Sequence, residues 1–222
     1  MNNATTWTFP ITLRRNGVRL EPLEPRHAEG LAADARDGEL WKLRVTSVPA
    51  PGEEAAYIDT ALQMLQAGTR LPFAVVDEAS ERVLGTTSYH DSDAPIRRLC
   101  IGHTWYARSV QRSHVNTTAK LMLMEHAFET LKAAMVGWRT DNFNFASQRV
   151  IERLGAKKDG VIRHHALRRD GTVRDTVMYS ITRGEWPEIA AHLGYKLAQR
   201  PIAALPPAGG EGTEAGTKEA PC

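Results

Sequence analysis

The chain shows two periods in its hydrophobic and polar positions, one typical of strands and one typical of helices. Alternating positions and short apolar runs bounded by turn residues predict strands over residues 17–23, 73–77, 83–90, 99–106, 135–140, 160–167 and 173–182. Apolar positions three and four apart predict helices over residues 25–35, 51–66, 117–131 and 144–154, with a closing helix at 186–193. Elements in this order predict an α/β (α+β) body on a largely antiparallel sheet.

Two of these elements carry the clearest patterns. Strict alternation in the strand at 99–106 predicts that Leu99, Ile101, His103 and Trp105 share one face, with Cys100, Gly102, Thr104 and Tyr106 on the other. In the helix at 117–131, the positions at helical spacing are Leu121, Met124, Phe128 and Leu131, which we expect to pack on the sheet.

Composition sets the domain organisation. The chain has 222 residues, 42% of them hydrophobic, which is enough to fill a single core. Its last 22 residues, PIAALPPAGGEGTEAGTKEAPC, are rich in Pro, Gly and Ala and lose the apolar period. We therefore predict an N-terminal extension over residues 1–17, one domain over 18–198, and a disordered tail over 199–222.

Charge, hydropathy and cysteine content exclude several classes of protein. No apolar run approaches the roughly 20 residues that span a bilayer, so we expect no membrane partner. The start of the chain lacks a secretory pattern, and Cys100 and Cys222 lie too far apart to suggest a disulfide framework, which favours a cytoplasmic location. A net charge of +2 disfavours a nucleic-acid partner. Neither a metal-ligand spacing nor a Gly-Lys-Ser/Thr phosphate loop is present in the sequence.

A polar loop over residues 109–116 joins the strand at 99–106 to the helix that follows. Free backbone N–H groups and the helix dipole at such a position suit a pyrophosphate, and Arg112 would add charge. The plainer interpretation is an ordinary strand-to-helix loop with a threonine cap. Spacing alone leaves both open.

Four segments resemble the motifs of one family. Residues 101–106, 111–121, 144–156 and 174–181 are similar, in order and separation, to the motifs of the GCN5-related N-acetyltransferases. The similarity runs from about Val18 to Trp186 and is strongest to the branch of ribosomal-protein N-terminal acetyltransferases. The resemblance implies a mostly antiparallel sheet whose fourth and fifth strands splay into a V that admits acetyl-CoA.

The resemblance also implies which residues bind coenzyme A. Backbone groups of Thr104, Trp105 and Tyr106 would hold the acetyl group and the pantetheine arm. The pyrophosphate would lie on Gln111, Arg112, Ser113, His114, Val115, Asn116 and Thr117. Within that segment, His114 replaces a glycine of the family motif, which could narrow the pocket or bring the imidazole into phosphate binding.

Two residues match the family's Asn-x-x-Ser pair and are the expected catalytic residues. Asn144 would hydrogen-bond the cofactor or an ordered water, and Ser147 would protonate the leaving thiolate directly or through water. The alternative is that both residues cap a helix, because Asn and Ser are common at that position.

The general base is left open by the sequence. Relatives often carry Glu where this chain has Cys100, and a cysteine there is more typical of a small buried residue than of an acyl carrier. The remaining candidates are His90, Asp91 and His103, or a chain of waters. A basic cluster at the last hairpin could recognise an acidic acceptor, although a solvated surface is the simpler expectation; it comprises Arg163, His164, His165, Arg168 and Arg169.

The function implied is an acetyl-CoA-dependent N-acetyltransferase. An amine, either a protein N-terminus or a small molecule, would attack the thioester directly in a ternary complex, in a monomer or homodimer. The alternative is a protein of the same fold that binds acyl-CoA but turns over weakly, as a sensor or interaction module. Cys100 and His114, the two departures from the family pattern, keep that alternative open.

Overall fold

Eight strands form one sheet in a computed structural model that describes residues 7–199 and 205. The strands are Leu13–Arg15 (β1), Val18–Pro22 (β2), Arg70–Asp77 (β3), Val83–Asp93 (β4), Arg98–Tyr106 (β5), Met135–Asp141 (β6), Lys157–Leu167 (β7) and Val173–Thr182 (β8). Their spatial order is β1-β2-β3-β4-β5-β6-β8-β7, and every pair is antiparallel except β5 with β6. The predicted mixed α/β fold on a mostly antiparallel sheet is confirmed.

Five α-helices within the described residues cover the sheet. They are Ala28–Arg36 (α1), Glu54–Gln66 (α2), Val115–Glu125 (α3), Phe145–Arg153 (α4) and Trp186–Ala198 (α5). The predicted helix over 117–131 differs from α3 at both ends: α3 begins two residues earlier, and residues 126–130 form a π-helical turn. No helix within residues 7–199 is both long and apolar enough to cross a membrane.

Two hydrophobic cores lie on opposite faces of the sheet. The larger core includes Leu99 and Ile101 of β5 and most of α3, whereas the smaller one includes Ile58 of α2 and Trp105. Residues 13–15, which precede the predicted domain, add β1 to the sheet, and Leu13 packs on the larger core. Of the predicted tail, the described residues are Gln199 and Leu205, and the rest lies outside the described range.

The parallel strands β5 and β6 separate soon after they meet. Their pairing comprises Arg98 with Met135, Leu99 with Val136 and Cys100 with Gly137, and the ladder ends there. Residues 101–106 therefore diverge from residues 138–141 and leave an opening within the sheet. This opening is the predicted V, between the fifth and sixth strands because β1 adds one strand to the count.

A β-bulge lies on β5 directly beyond the last pair. Gly102 pairs with Ser88 and Trp105 with Thr86, so that His103 and Thr104 together face Thr87. His103 has a positive φ of 48°, which is uncommon for a residue other than glycine. The extra residue bends the strand where the V opens.

The bulge makes the predicted alternation of β5 wrong from His103 onwards. One inserted residue reverses the phase of the side chains that follow it. Trp105 therefore packs in the smaller core, away from Leu99 and Ile101, while Tyr106 joins the larger core.

Gly85 provides a test of how tightly the bulged ladder is packed. Its φ is +144°, and a Cβ at this position would lie 2.1 Å from the carbonyl oxygen of Trp105. We expect Gly85→Ala to lower the free energy of unfolding by roughly 2–4 kcal/mol, because the substitution combines backbone strain with a backbone clash. Chemical denaturation measures the change.

Gly160→Ala is the matched control, because a Cβ at Gly160 meets no atom within 4 Å. Its stability should stay close to that of the wild type. Equal stability of the two alanine variants would contradict the packing described for β4 and β5.

Candidate active site

The loop between β5 and α3 opens onto one end of the V and is shaped by its own side chains. Gln111 Nε2 donates to the Tyr106 carbonyl oxygen at 3.1 Å, and Ser113 Oγ donates to the Val110 carbonyl oxygen at 2.6 Å. Ser113 Oγ also accepts from the Val115 N–H at 3.2 Å. These side chains are therefore engaged in holding the loop, which leaves ligand binding mainly to backbone groups.

The start of α3 supplies those backbone groups. The first hydrogen bond of the helix runs from the Thr118 N–H to the His114 carbonyl oxygen at 2.9 Å. N–H groups before this bond have no partner within the helix and point out of its end, where the helix dipole is positive. Arg112, which is exposed and has φ of 66°, lies beside them. The arrangement suits an anion.

Burial divides the predicted cofactor residues into two groups. Gln111 and Arg112 are exposed, and Thr104, Ser113 and Asn116 are partly exposed. The others are buried, so that we expect them to contact a ligand mainly through their backbone; they are Trp105, Tyr106, His114, Val115 and Thr117. His114 in particular is 8% exposed, which places its imidazole within the protein.

Asn144 caps α4 at the opposite wall of the V. Its Oδ1 accepts the Ser147 N–H at 3.0 Å, and its Nδ2 lies 3.5 Å from the Val45 carbonyl oxygen. Ser147 is partly exposed in the first turn of the helix. The capping interaction therefore exists, and it orients the first turn of α4 so that the Ser147 hydroxyl is carried on a fixed backbone.

A polar cluster lies on the face of the sheet that carries the smaller core, beside the last β5–β6 pair. His90 Nδ1 is 3.2 Å from Asp91 Oδ2 and 3.3 Å from the Arg139 guanidinium, which also pairs with Asp91. The rings of His90 and His103 meet edge to face at 5.1 Å between centroids. A Cβ on Gly102 would lie 2.4 Å from His90 Nε2, so the imidazole occupies the space that a side chain on the bulged strand would need.

The electrostatics of this cluster distinguish the candidate bases. The hydrogen bond with His90 is the main cause that lowers the pKa of Asp91 to about 2, with Arg139 contributing. Burial, reinforced by Arg70, lowers the pKa of His103 to about 3, and burial raises the pKa of the Cys100 thiol. Asp91 and His103 are therefore weak bases at neutral pH, and the Cys100 thiol is protonated. The imidazole of His90, which contacts Asp91, is the remaining side-chain candidate, beside a chain of waters.

The same cluster has a spacing that a metal ion could use. Three potential ligand atoms lie within 4.8 Å of one another, one each from His90, Asp91 and Cys100. Arg139 already pairs with Asp91, however, and the thiol is held in its protonated form by burial. These interactions favour a hydrogen-bond network over a bound cation.

Ion pairs hold the tip of the β7–β8 hairpin against the rest of the fold. Arg44 pairs with Asp170 at 2.6 Å, and Arg169 pairs with Glu53 at 3.0 Å, which joins the tip to the loop before α2. Arg168 Nε lies 2.7 Å from Asp141 Oδ2, and both of these side chains are buried. The expectation of a solvated basic hairpin is therefore wrong for Arg168, whose charge is used to hold the hairpin against β6.

Sequence reasoning missed Lys120, which lies on α3 and is 4% exposed. Its Nζ donates to Thr87 Oγ1 at 2.9 Å and to Thr104 Oγ1 at 2.6 Å, and the two hydroxyls lie 2.8 Å apart. No carboxylate within residues 7–199 pairs with it. The available signal was a lysine at a core-facing position of a strongly apolar helix.

Burial without a counter-ion lowers the pKa of Lys120 to about 7. The folded protein therefore binds fewer protons than the unfolded chain between about pH 7 and pH 10, and the contribution of this group to stability rises with pH over that window. We expect Lys120→Met to raise the free energy of unfolding by up to about 4 kcal/mol at pH 7, and by only about 1 kcal/mol at pH 10. Denaturation at the two pH values measures the difference.

Lys158→Met is the control, because Lys158 is exposed on β7. This variant should differ from the wild type by the same small amount at both pH values. A Lys120→Met effect that does not depend on pH would contradict the assigned environment of the amine.

Comparisons with known proteins agree with this geometry. The Acetyltransferase (GNAT) domain family matches residues 18–157. A T. thermophilus protein that carries an acetyltransferase assignment has a solved structure with 33% identity and a TM-score of 0.76, over 86% of this chain and 99% of that one.

Two further relatives are more distant. Uncharacterized N-acetyltransferase YoaA of Bacillus subtilis (strain 168) is 22% identical over 176 residues, which is 79% of this chain and 98% of the relative. Mycobacterium smegmatis RimJ, solved in complex with CoA-disulfide, shares the fold with a TM-score of 0.69 at 22% identity, over 86% of this chain and 96% of RimJ. The sheet, its V and the match over residues 18–157 lead to one conclusion: the chain belongs to the GCN5-related N-acetyltransferase (GNAT) family.

Proposed function

We propose that the protein transfers the acetyl group of acetyl-CoA to the amine of a peptide N-terminus or of a small molecule. The observation that carries the proposal is the V, which opens after the Cys100–Gly137 pair with the start of α3 at its mouth. The family supports acetyl transfer in general, and the amine acceptor is our inference. RimJ, a neighbour of the same fold, was solved with a CoA derivative, which is consistent with coenzyme A in this site.

Each end of the cofactor has a candidate partner. The N–H groups at the start of α3, together with Arg112 and Asn116, would bind the pyrophosphate. Backbone groups of Thr104, Trp105 and Tyr106 would hold the pantetheine arm and the acetyl group along the free edge of β5. A ligand in the V would thus hydrogen-bond to the backbone groups of β5 that no longer pair with β6.

The transfer itself needs two proton movements. The amine nitrogen forms a bond to the acetyl carbon, the carbon–sulfur bond breaks, and the amine loses a proton. We assign that proton to His90, directly or through water, because Asp91 orients its ring and its Nε2 faces the bulged strand at Gly102. Ser147 would supply the proton to the departing thiolate.

Removal of the two polar side chains at the start of α3 tests the cofactor site. Arg112→Ala combined with Asn116→Ala should raise the Kd for coenzyme A about tenfold or more, because hydrogen bonds to a charged group are lost. Calorimetry measures the affinity. Arg153→Ala, on an exposed position of α4, is the charge-matched control and should bind normally. Unchanged affinity in the double variant would place the pyrophosphate elsewhere.

Thiol release from acetyl-CoA over a panel of amines and peptides tests the reaction. The wild type should acetylate at least one class, and Ser147→Ala and His90→Gln should each lower kcat about 10- to 100-fold with little change in coenzyme A affinity.

Two outcomes would contradict these assignments, and a further variant tests Asn144. Binding of coenzyme A without turnover on any acceptor would overturn the transferase and favour a sensor or interaction module. Equal loss of binding and turnover in Ser147→Ala would indicate that the residue only supports the start of α4. Asn144→Ser, which preserves a capping side chain, should keep the melting temperature and so isolates the role of the Asn144 amide.

A further inference from the structure

Lys120 is a buried cation that the reaction outlined above does not use. Its Nζ bonds to Thr87 on β4 and to Thr104 on β5, and these two threonines face each other across the bulge. Thr104 Oγ1 in turn donates to the Gly102 carbonyl oxygen at 3.2 Å. The amine therefore spans the place where the β4–β5 ladder is interrupted.

The position of Lys120 on its helix relates it to the cofactor loop. It lies four residues after Asn116 and three after Thr117, so that all three residues share one face of α3. In the proposed binding mode, the phosphates of coenzyme A lie at the start of α3 and its pantetheine arm follows β5. The cofactor would therefore pass from Asn116 towards Thr104. Lys120 lies one helical turn along that path.

A purely structural role does not account for a charged group at this position. Thr87 and Thr104 already lie within hydrogen-bond distance of each other at 2.8 Å, so that neither hydroxyl needs the lysine as a partner. A buried amine without a carboxylate lowers stability, whereas an apolar residue of similar length would fill the same space. The amine offers what a methionine does not, namely hydrogen-bond donors and, while it is protonated, a positive charge beside the bulge.

We propose that Lys120 is a positioning residue for acetyl transfer, whose amine holds Thr104 and the bulge in the conformation that orients and polarises the thioester. This inference rests on the proposed function, because it requires acetyl-CoA to lie along β5. The charge would act through the backbone of the bulge, because a polar group that is held in place before the reaction stabilises a developing oxyanion without reorganisation. Negative charge on the thioester oxygen would in turn favour the protonated amine.

Within the described residues, two threonines and a tyrosine lie on the strands beside the Lys120 amine. One titratable imidazole on the same face, that of His126, stacks on the Tyr89 ring at 6.0 Å between centroids, and burial lowers its pKa. Thr87 faces it from β4 and Thr104 from β5, and neither threonine titrates. Tyr89, on the same face of β4, stays neutral because burial raises its pKa well above the usual value. On the opposite face lie His90 and His103 of the polar cluster, and on that side Arg70 and Arg139 carry fixed charges.

The test uses acetyl-CoA labelled with ¹³C at the carbonyl carbon and bound to the full chain without an acceptor. The carbonyl resonance reports polarisation of the thioester and needs no turnover. We expect it to move downfield on binding to the wild type and to Lys158→Met. It should return most of the way to the free position in Lys120→Met, and part of the way in Thr87→Val, which removes one of the two hydroxyl partners.

Kinetics on an accepted amine provide the second measurement. Lys120→Met should lower kcat about 10- to 100-fold and change KM for acetyl-CoA less than about threefold. The ratio of wild-type to variant kcat should fall as pH rises from about 6 to about 9, because the deprotonated amine loses its charge-assisted bonds. Lys158→Met should match the wild type throughout.

The outcomes separate this inference from the proposed function. An unchanged carbonyl resonance in Lys120→Met, or a kcat ratio that is independent of pH, would overturn the role of Lys120 and leave the transferase intact. Failure of the wild type to bind acetyl-CoA would overturn both proposals. A shifted resonance without turnover on any acceptor would overturn the transferase and retain the positioning of the thioester.

Discussion

The rest of the structure depends on one constraint in the sheet: β5 must leave β6 after three residue pairs and still complete its ladder with β4. A regular strand would keep both neighbours, because unpaired backbone groups inside a sheet are costly. The bulge at His103 and Thr104 resolves the conflict by bending β5 away from β6 while β4 stays paired on either side. It thereby creates an edge within the sheet whose polar backbone groups are available to a ligand.

The two faces of the bulge carry different chemistry. On one face His90, oriented by Asp91, occupies the space left by Gly102, and on the other the amine of Lys120 joins Thr87 to Thr104. Under the proposed function, one side would accept the proton of the amine and the other would supply positive charge. Carrying both groups lowers the stability of the fold, because a buried lysine and closely packed polar side chains must give up water. Such a cost is typical of sites where binding or chemistry has been favoured over stability.

Most of the architecture could be predicted from local pattern. The hairpin of β3 and β4, the helix that precedes β7 and the closing α5 follow from periods and turn residues within short windows. The candidate loop at the start of α3 was found in the same way, and its resemblance to a family extended the interpretation to Asn144 and Ser147. The predicted alternation of β5 was wrong beyond the bulge. A single inserted residue does not change the hydropathy pattern, but it reverses the face of the sheet on which every later side chain lies.

The sequence by itself therefore determined the order of the elements from β2 to α5, the family and the segment where a phosphate could bind, because each of these depends on residues that are close together in the chain. It did not predict β1. The tertiary structure alone decided where the bulge falls, that the side chain of Asp91 contacts the His90 ring, and that Lys120 has two hydroxyl partners and no carboxylate partner within residues 7–199. The two hydroxyl partners of Lys120, for example, lie 16 and 33 positions away from it in the chain. The ionisation of such groups depends on the water and charges that folding removes or brings close, which no local pattern records.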